Sequence, residues 1–144
     1  MNAVEAQGRR RAREAALQML YQCEVGRAAA IESIATYWPS REAETVPPPL
    51  REFANSIVRG TLERREEIDL MLTAHAQNWR VERMAVIDRI VLRMAVYEML
   101  AEADTPSKVI INEAIELARS FSGDAAVPFV NGVLDAVRKE LRRS

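Results

Sequence analysis

The chain has 144 residues, 49% of them hydrophobic and 28% charged, with only 5 Gly and 6 Pro. That balance fits one soluble, helix-rich globule, or two small subdomains on one core, and excludes a disordered or low-complexity chain. Lys and Arg number 20 against 21 Asp and Glu, a formal net charge of -1, which excludes a protein that holds nucleic acid by bulk charge alone.

Cys23 is the single cysteine, so an intrachain disulfide is impossible and a reducing compartment fits. It falls on an apolar helical stripe, where a buried, inert thiol is expected. No apolar run has the length of a membrane span, and the N-terminus lacks a signal-peptide core. The expectation is a cytoplasmic protein with no membrane partner.

Residues 1–8 read as a flexible lead-in to a domain over 9–144. The first helical pattern starts at Arg9 and buries Ala12, Ala16, Met19, Leu20 and Cys23. Arg9, Arg10, Arg11 and Arg13 then fall in its first turn and a half, where a helix dipole favours acid. Gln7-Gly8 ahead of them is a weak cap. Arginines that do not help a helix start suit a phosphate ligand beside free helix amides. A solvated basic end with Arg10–Glu14 as an i,i+4 pair is the other reading, and the residues leave both open. Tyr21 lies three turns from Arg10 on one column.

Gly26 ends this helix. A short helix over 29–38 is expected to bury Ile31, Ile34, Ala35 and Trp38, with Pro39 stopping it and residues 39–49 forming a proline-stiffened loop. From Leu50 a helix carries Phe53, Ile57 and Val58, with a break or bend expected near Gly60-Thr61. The pattern continues through Leu62, Ile68, Leu70, Met71 and Leu72. Glu63-Arg64-Arg65-Glu66-Glu67 alternates in sign and reads as a solvated face with local pairs. His75, the single histidine, has no metal-ligand neighbours in sequence and is expected to be a surface or hydrogen-bonded side chain.

Residues 83–101 are apolar on nearly all sides, as befits a central helix, with Arg89 and Arg93 beside Asp88 on a narrow polar strip. Asp88 and Glu82 either pair internally or present acid to a basic partner. Thr105 as cap and Pro106 at the first helical position start another helix, with Ile110, Ala114, Leu117, Ala118 and Phe121 buried and Gly123 closing it. A last helix from about Ala126 buries Val130, Val133, Leu134, Val137 and Leu141. Gly132 inside it reads as a close-packing position. The basic tail at Arg138, Lys139, Arg142 and Arg143 suits a helix C-terminus.

The sequence carries no strand pattern, repeat, phosphate loop, metal-ligand spacing or catalytic triad motif. No catalytic residue, metal or cofactor is therefore expected, and an enzyme has no nameable nucleophile–base pair.

Several stretches together resemble the NusB family of bacterial transcription antitermination factors. They are Arg9-Arg-Arg-Ala-Arg-Glu14, Phe53…Val58-Arg-Gly60 with Ile68-Asp69, and the run from Ile87 to Glu98. Pro106…Val109…Asn112 through Ala118 and Phe129-Val-Asn-Gly-Val-Leu-Asp135 complete the set. The resemblance implies an all-α fold of about seven helices in two packed subdomains, here about 9–78 and 79–144. It implies binding of boxA RNA in ribosomal RNA transcripts, together with small-subunit ribosomal protein ten (Nus factor E), within an RNA polymerase antitermination complex. Arg9, Arg10, Arg11 and Arg13 match the family's arginine-rich RNA-binding motif. Tyr21 and Phe129 match aromatic positions expected near the RNA, and Lys108 a phosphate contact. The helix around Glu82 and Asp88 matches the surface expected to meet the ribosomal protein. Some relatives self-associate, so a homodimer is possible. The same domain occurs fused to ribosomal RNA cytosine methyltransferases; 144 residues leave no room for that catalytic domain, and the stand-alone factor is expected. The competing reading is a helical protein-interaction scaffold without specific RNA binding.

Overall fold

A computed structural model describes residues 2–41, 45–76 and 80–144. Among these residues the chain forms seven α-helices and no strand, the all-α fold expected from the sequence. They fall into two compact units, Met1–Leu62 and Glu63–Ser144.

The first unit holds α1 (Ala3–Val25), α2 (Ala30–Tyr37), a 3₁₀ turn (Pro39–Arg41) and α3 (Pro48–Glu63). Helix α1 begins at Ala3, not at Arg9, and the expected flexible lead-in is helical from its third residue. Asn2 is the cap: its side chain accepts from the Glu5 backbone N–H at 2.8 Å, and its own amide lies 3.4 Å from the Glu5 carboxylate. The first bond satisfies one helix-start N–H, and Glu5 places acid where the dipole favours it. The arginines therefore sit inside the helix, beyond the reach of the first-turn amides, and the expected clash with the dipole does not arise. Gly8 is also internal. A Cβ there would come within 2.6 Å of the Leu50 side chain, so α3 approaches α1 closely at this point.

Helix α2 is rotated from the expected face. Ile31 is 80% exposed and Ala35 is exposed, whereas Ser33 and Trp38 are buried. Polar anchoring accounts for the rotation: the Ser33 hydroxyl donates to the Met19 carbonyl at 3.0 Å, and the Trp38 indole donates to Asn55 Oδ1 at 2.8 Å. Pro48 and Pro49, expected in a loop, occupy the first turn of α3, where a missing N–H costs nothing. The break or bend expected near Gly60-Thr61 falls a few residues later: the helix runs through both to Glu63 and breaks at Arg64. The rest of the expected loop, residues 42–44, lies outside the described residues.

The second unit holds α4 (Arg65–His75), a 3₁₀ turn (Val81–Arg83), α5 (Val86–Ala101), α6 (Ser107–Phe121), a second such turn (Asp124–Ala126) and α7 (Val127–Glu140). Helix α5 buries ten of its residues and packs on α4, α6 and α7, the central place its hydrophobicity requires. Its arginines are structural. Arg93 grips both carboxylate oxygens of Asp69 on α4, at 2.8 and 2.9 Å, and Arg89 reaches the Val81 and Glu82 carbonyls. Because Ile68 and Leu72 are buried and α4 packs on α5 and α7, the units divide after Leu62 rather than near residue 78.

Some expected core positions face outward: Leu70 is 73% exposed and Phe121 is 40% exposed. Helix α6 starts one residue later than expected, with Pro106 at the cap and Thr105 buried. Gly123 closes it with φ of +124°, a conformation that favours glycine. Gly132 is inside α7, but a Cβ there would meet nothing within 4 Å, so it is no close-packing position. Arg143 holds the tail in place, donating to the Met99 carbonyl at 2.6 Å and to the Ser107 hydroxyl at 2.8 Å. No helix among the described residues is long and apolar enough to cross a membrane.

Candidate nucleic-acid interface

Four arginines in five residues spread around a helix, so they cannot share one environment. Arg9 and Arg13, one turn apart, both lie over the Phe53 ring, at 4.8 and 5.3 Å from its centroid. Arg13 is only 2% exposed. This pair binds α1 to α3 through cation–π contact and buried stem area. Arg13, expected at the RNA, is therefore a core residue. Arg9 is half-buried, and Arg10 and Arg11 are exposed on the outer surface of α1. Tyr21, further along α1, is 42% exposed and able to offer a ring face.

A small polar cavity of about 100 Å³ opens beside this surface, lined by Arg11, Glu14, Gln18, Tyr37 and Arg41 among others. Gln18 Oε1 accepts from the Tyr37 hydroxyl at 2.6 Å, and the Arg41 guanidinium lies 5.3 Å from the Tyr37 ring centroid. Sequence reasoning passed over Tyr37 and Arg41. The signal was there in Tyr37-Trp38-Pro39-Ser40-Arg41, an aromatic followed within four residues by a cation.

The remaining expected residues belong to the second unit. Lys108 is exposed in the first turn of α6, and Glu82 is exposed in the turn before α5. Asp88 and Phe129, assigned from the sequence to different ligands, line one cavity of about 350 Å³ with Met84, Ala85, Ser122, Ala125 and Ala126. Asp88 Oδ1 is buried and lacks a hydrogen-bond partner among the described residues, so the internal pairing considered from the sequence does not form there.

The other reactive side chains have ordinary roles. His75 Nε2 lies 2.7 Å from Glu140 Oε1, a partnered histidine as expected. Burial pushes the Cys23 thiol up, and Glu24 and Glu32 add to that while Ser33 opposes it. No group of three or more His, Cys, Asp or Glu among the described residues is placed to hold a metal ion.

Among the described residues the protein is all-helical, with exposed arginines on its first helix and no group placed to hold a metal ion. The chain belongs to the NusB family, whose model matches residues 10–139. It is similar to the transcription antitermination protein NusB of Solibacter usitatus, 46% identical over 92% of this chain and 90% of that one. The protein of the same name from Myxococcus xanthus is 41% identical, with 94% of this chain and 97% of that one covered. These relatives are named as antitermination proteins and not as enzymes, in line with the expectation of a non-catalytic protein. Among solved structures, T. maritima NusB superposes with a TM-score of 0.80 at 35% identity, covering 92% of this chain and 91% of that one. A complex of the antitermination factors NusB and NusE with double-stranded RNA shares the fold, with a TM-score of 0.83 at 23% identity over 93% of this chain and 98% of that one.

Proposed function

We propose that this chain is a non-catalytic antitermination factor. It binds the boxA element of ribosomal RNA transcripts together with small-subunit ribosomal protein ten, and so suppresses premature termination. The observation that carries this reading is the division of the α1 cluster. Two arginines clamp Phe53, while Arg10 and Arg11 stay on the outer surface of the helix. Single-stranded RNA is held by cations on its phosphates and by aromatics under its bases. Arg10 and Arg11 supply the first, with Arg9 at their edge and Lys108 in the second unit. The exposed ring of Tyr21 and the half-buried ring of Phe129 supply the second.

The names of the curated relatives support the antitermination role, and the solved complex of relatives supports the pairing of RNA with a protein partner. Ribosomal proteins are commonly basic, and an acidic docking surface speeds encounter with such a partner. Glu82, exposed, and Asp88, half-buried, provide that acid. The heterodimer joins the RNA polymerase antitermination complex in the cytoplasm. A homodimer is the competing use of free chains.

The test is titration of boxA RNA and a scrambled RNA, with and without the ribosomal protein. Arg10→Ala combined with Arg11→Ala is expected to weaken boxA binding by roughly 2 kcal/mol and to lower the salt slope by about 1.4, at about 0.7 for each phosphate no longer neutralised. Equal affinity and slope in a folded double variant would sink the basic-helix assignment. Indifference to RNA sequence with and without the partner would favour the interaction scaffold.

A further inference from the structure

The corner where α1, α2 and the first 3₁₀ turn meet holds a cation that the α1 cluster does not include. Arg41 is exposed, yet it is held in place: its Nη2 donates to Gln18 Oε1 at 3.4 Å and its guanidinium rests over the Tyr37 ring. Tyr37 is itself fixed by its hydroxyl bond to the same Gln18 oxygen and by an edge-on contact with Trp38 at 4.9 Å. An arginine pinned by aromatic stacking and one side-chain bond has lost part of its rotamer freedom before any ligand arrives. Arg11 lines the same cavity, two turns before Gln18 on one column of α1. One carboxylate, Glu14, lines it as well, so the formal local charge is positive on a chain whose net charge is -1.

We infer that this corner is a phosphate subsite that extends the RNA path from α1 onto the 3₁₀ turn, with Arg11 and Arg41 sharing one backbone phosphate of a single strand. At about 100 Å³ the cavity is well below the roughly 300 Å³ at which pockets begin to take whole small molecules, so it admits a phosphate group and not a base. Two planar guanidinium forks match phosphate oxygens in a way that a lysine would not. Continuity with exposed Arg10 selects a nucleic-acid backbone over an isolated anion, because the subsite and Arg10 then meet successive phosphates of one strand. The inference rests on the RNA-binding reading and adds Arg41 to it.

The test uses the full chain with its ribosomal partner and a labelled single-stranded boxA RNA, titrated at several salt concentrations. Arg41→Ala is expected to weaken binding about three- to tenfold at roughly 0.1 M salt and to lower the slope of log K against log salt by less than the roughly 0.7 of a whole phosphate, because Arg11 still faces the shared group. Arg41→Lys should keep the slope and recover part of the affinity, since charge returns without the planar fork. Arg65→Ala, at an exposed arginine of α4 outside the cavity, should bind as wild type. Wild-type affinity and slope for Arg41→Ala, alongside weakened binding by Arg10→Ala, would overturn the subsite and leave the parent reading standing. An equal loss in Arg65→Ala would assign the effect to bulk charge and also overturn it. If wild type does not bind the RNA at all, the parent reading fails first and the subsite with it.

Discussion

Arg10 and Arg13 differ by less than one helical turn, yet one is exposed and the other is 2% exposed. Residue type does not distinguish them; the position of Phe53 across α1 does. The same holds for the arginines of α5, which the sequence places on a polar strip and the fold turns inward. Arg93 is bidentate to Asp69, with side chains only 11% and 28% exposed. Removing one partner of such a pair leaves a poorly solvated charge. Arg93→Ala is therefore expected to destabilise the protein by about 3 kcal/mol, read as a lower urea midpoint at unchanged slope. A change under about 0.5 kcal/mol would mean that water already solvates Asp69.

Element existence was legible and element registration less so. Most of the helices follow from apolar spacing and Gly or Pro punctuation, since both act locally, whereas the count of about seven is what the family resemblance implies. Helix α1 began earlier than expected because its signal was one polar pair, Asn2 and Glu5, rather than an apolar stripe. Helix α2 turned its isoleucine outward because Ser33 and Trp38 found partners on other helices, which no pattern within eight residues encodes. The cap allows a direct test. Asn2→Ala should cost about 1 kcal/mol of local helix stability and speed amide exchange in the first turn of α1, with the second unit unaffected. Unchanged exchange at Glu5 would show that the Asn2 bond contributes nothing.

For the whole molecule, charge balance sets the expectation. A net charge of -1 gives little long-range attraction for RNA, so under the proposed function the surface arginines would act at short range and benefit from a basic partner. Asp88 belongs to this scale, because its buried oxygen lacks a donor among the described residues. Asp88→Lys should weaken the heterodimer with the ribosomal protein by tenfold or more, about 1.4 kcal/mol, while RNA binding by the free chain changes less. Isothermal titration of each pair separates the two, and an unchanged heterodimer affinity would move the interface elsewhere.

Family, fold class and the presence of a basic helix were determined by the sequence itself, because motif order, helical period and composition are properties of the chain read in line. Which arginines are surface and which are core was decided only by tertiary packing. So was the meeting of Asp88 with Phe129 in one cavity, and of Arg11 with Arg41 in another. The physical reason is that burial and partnership depend on what lies across the helix, and that neighbour comes from elsewhere in the chain.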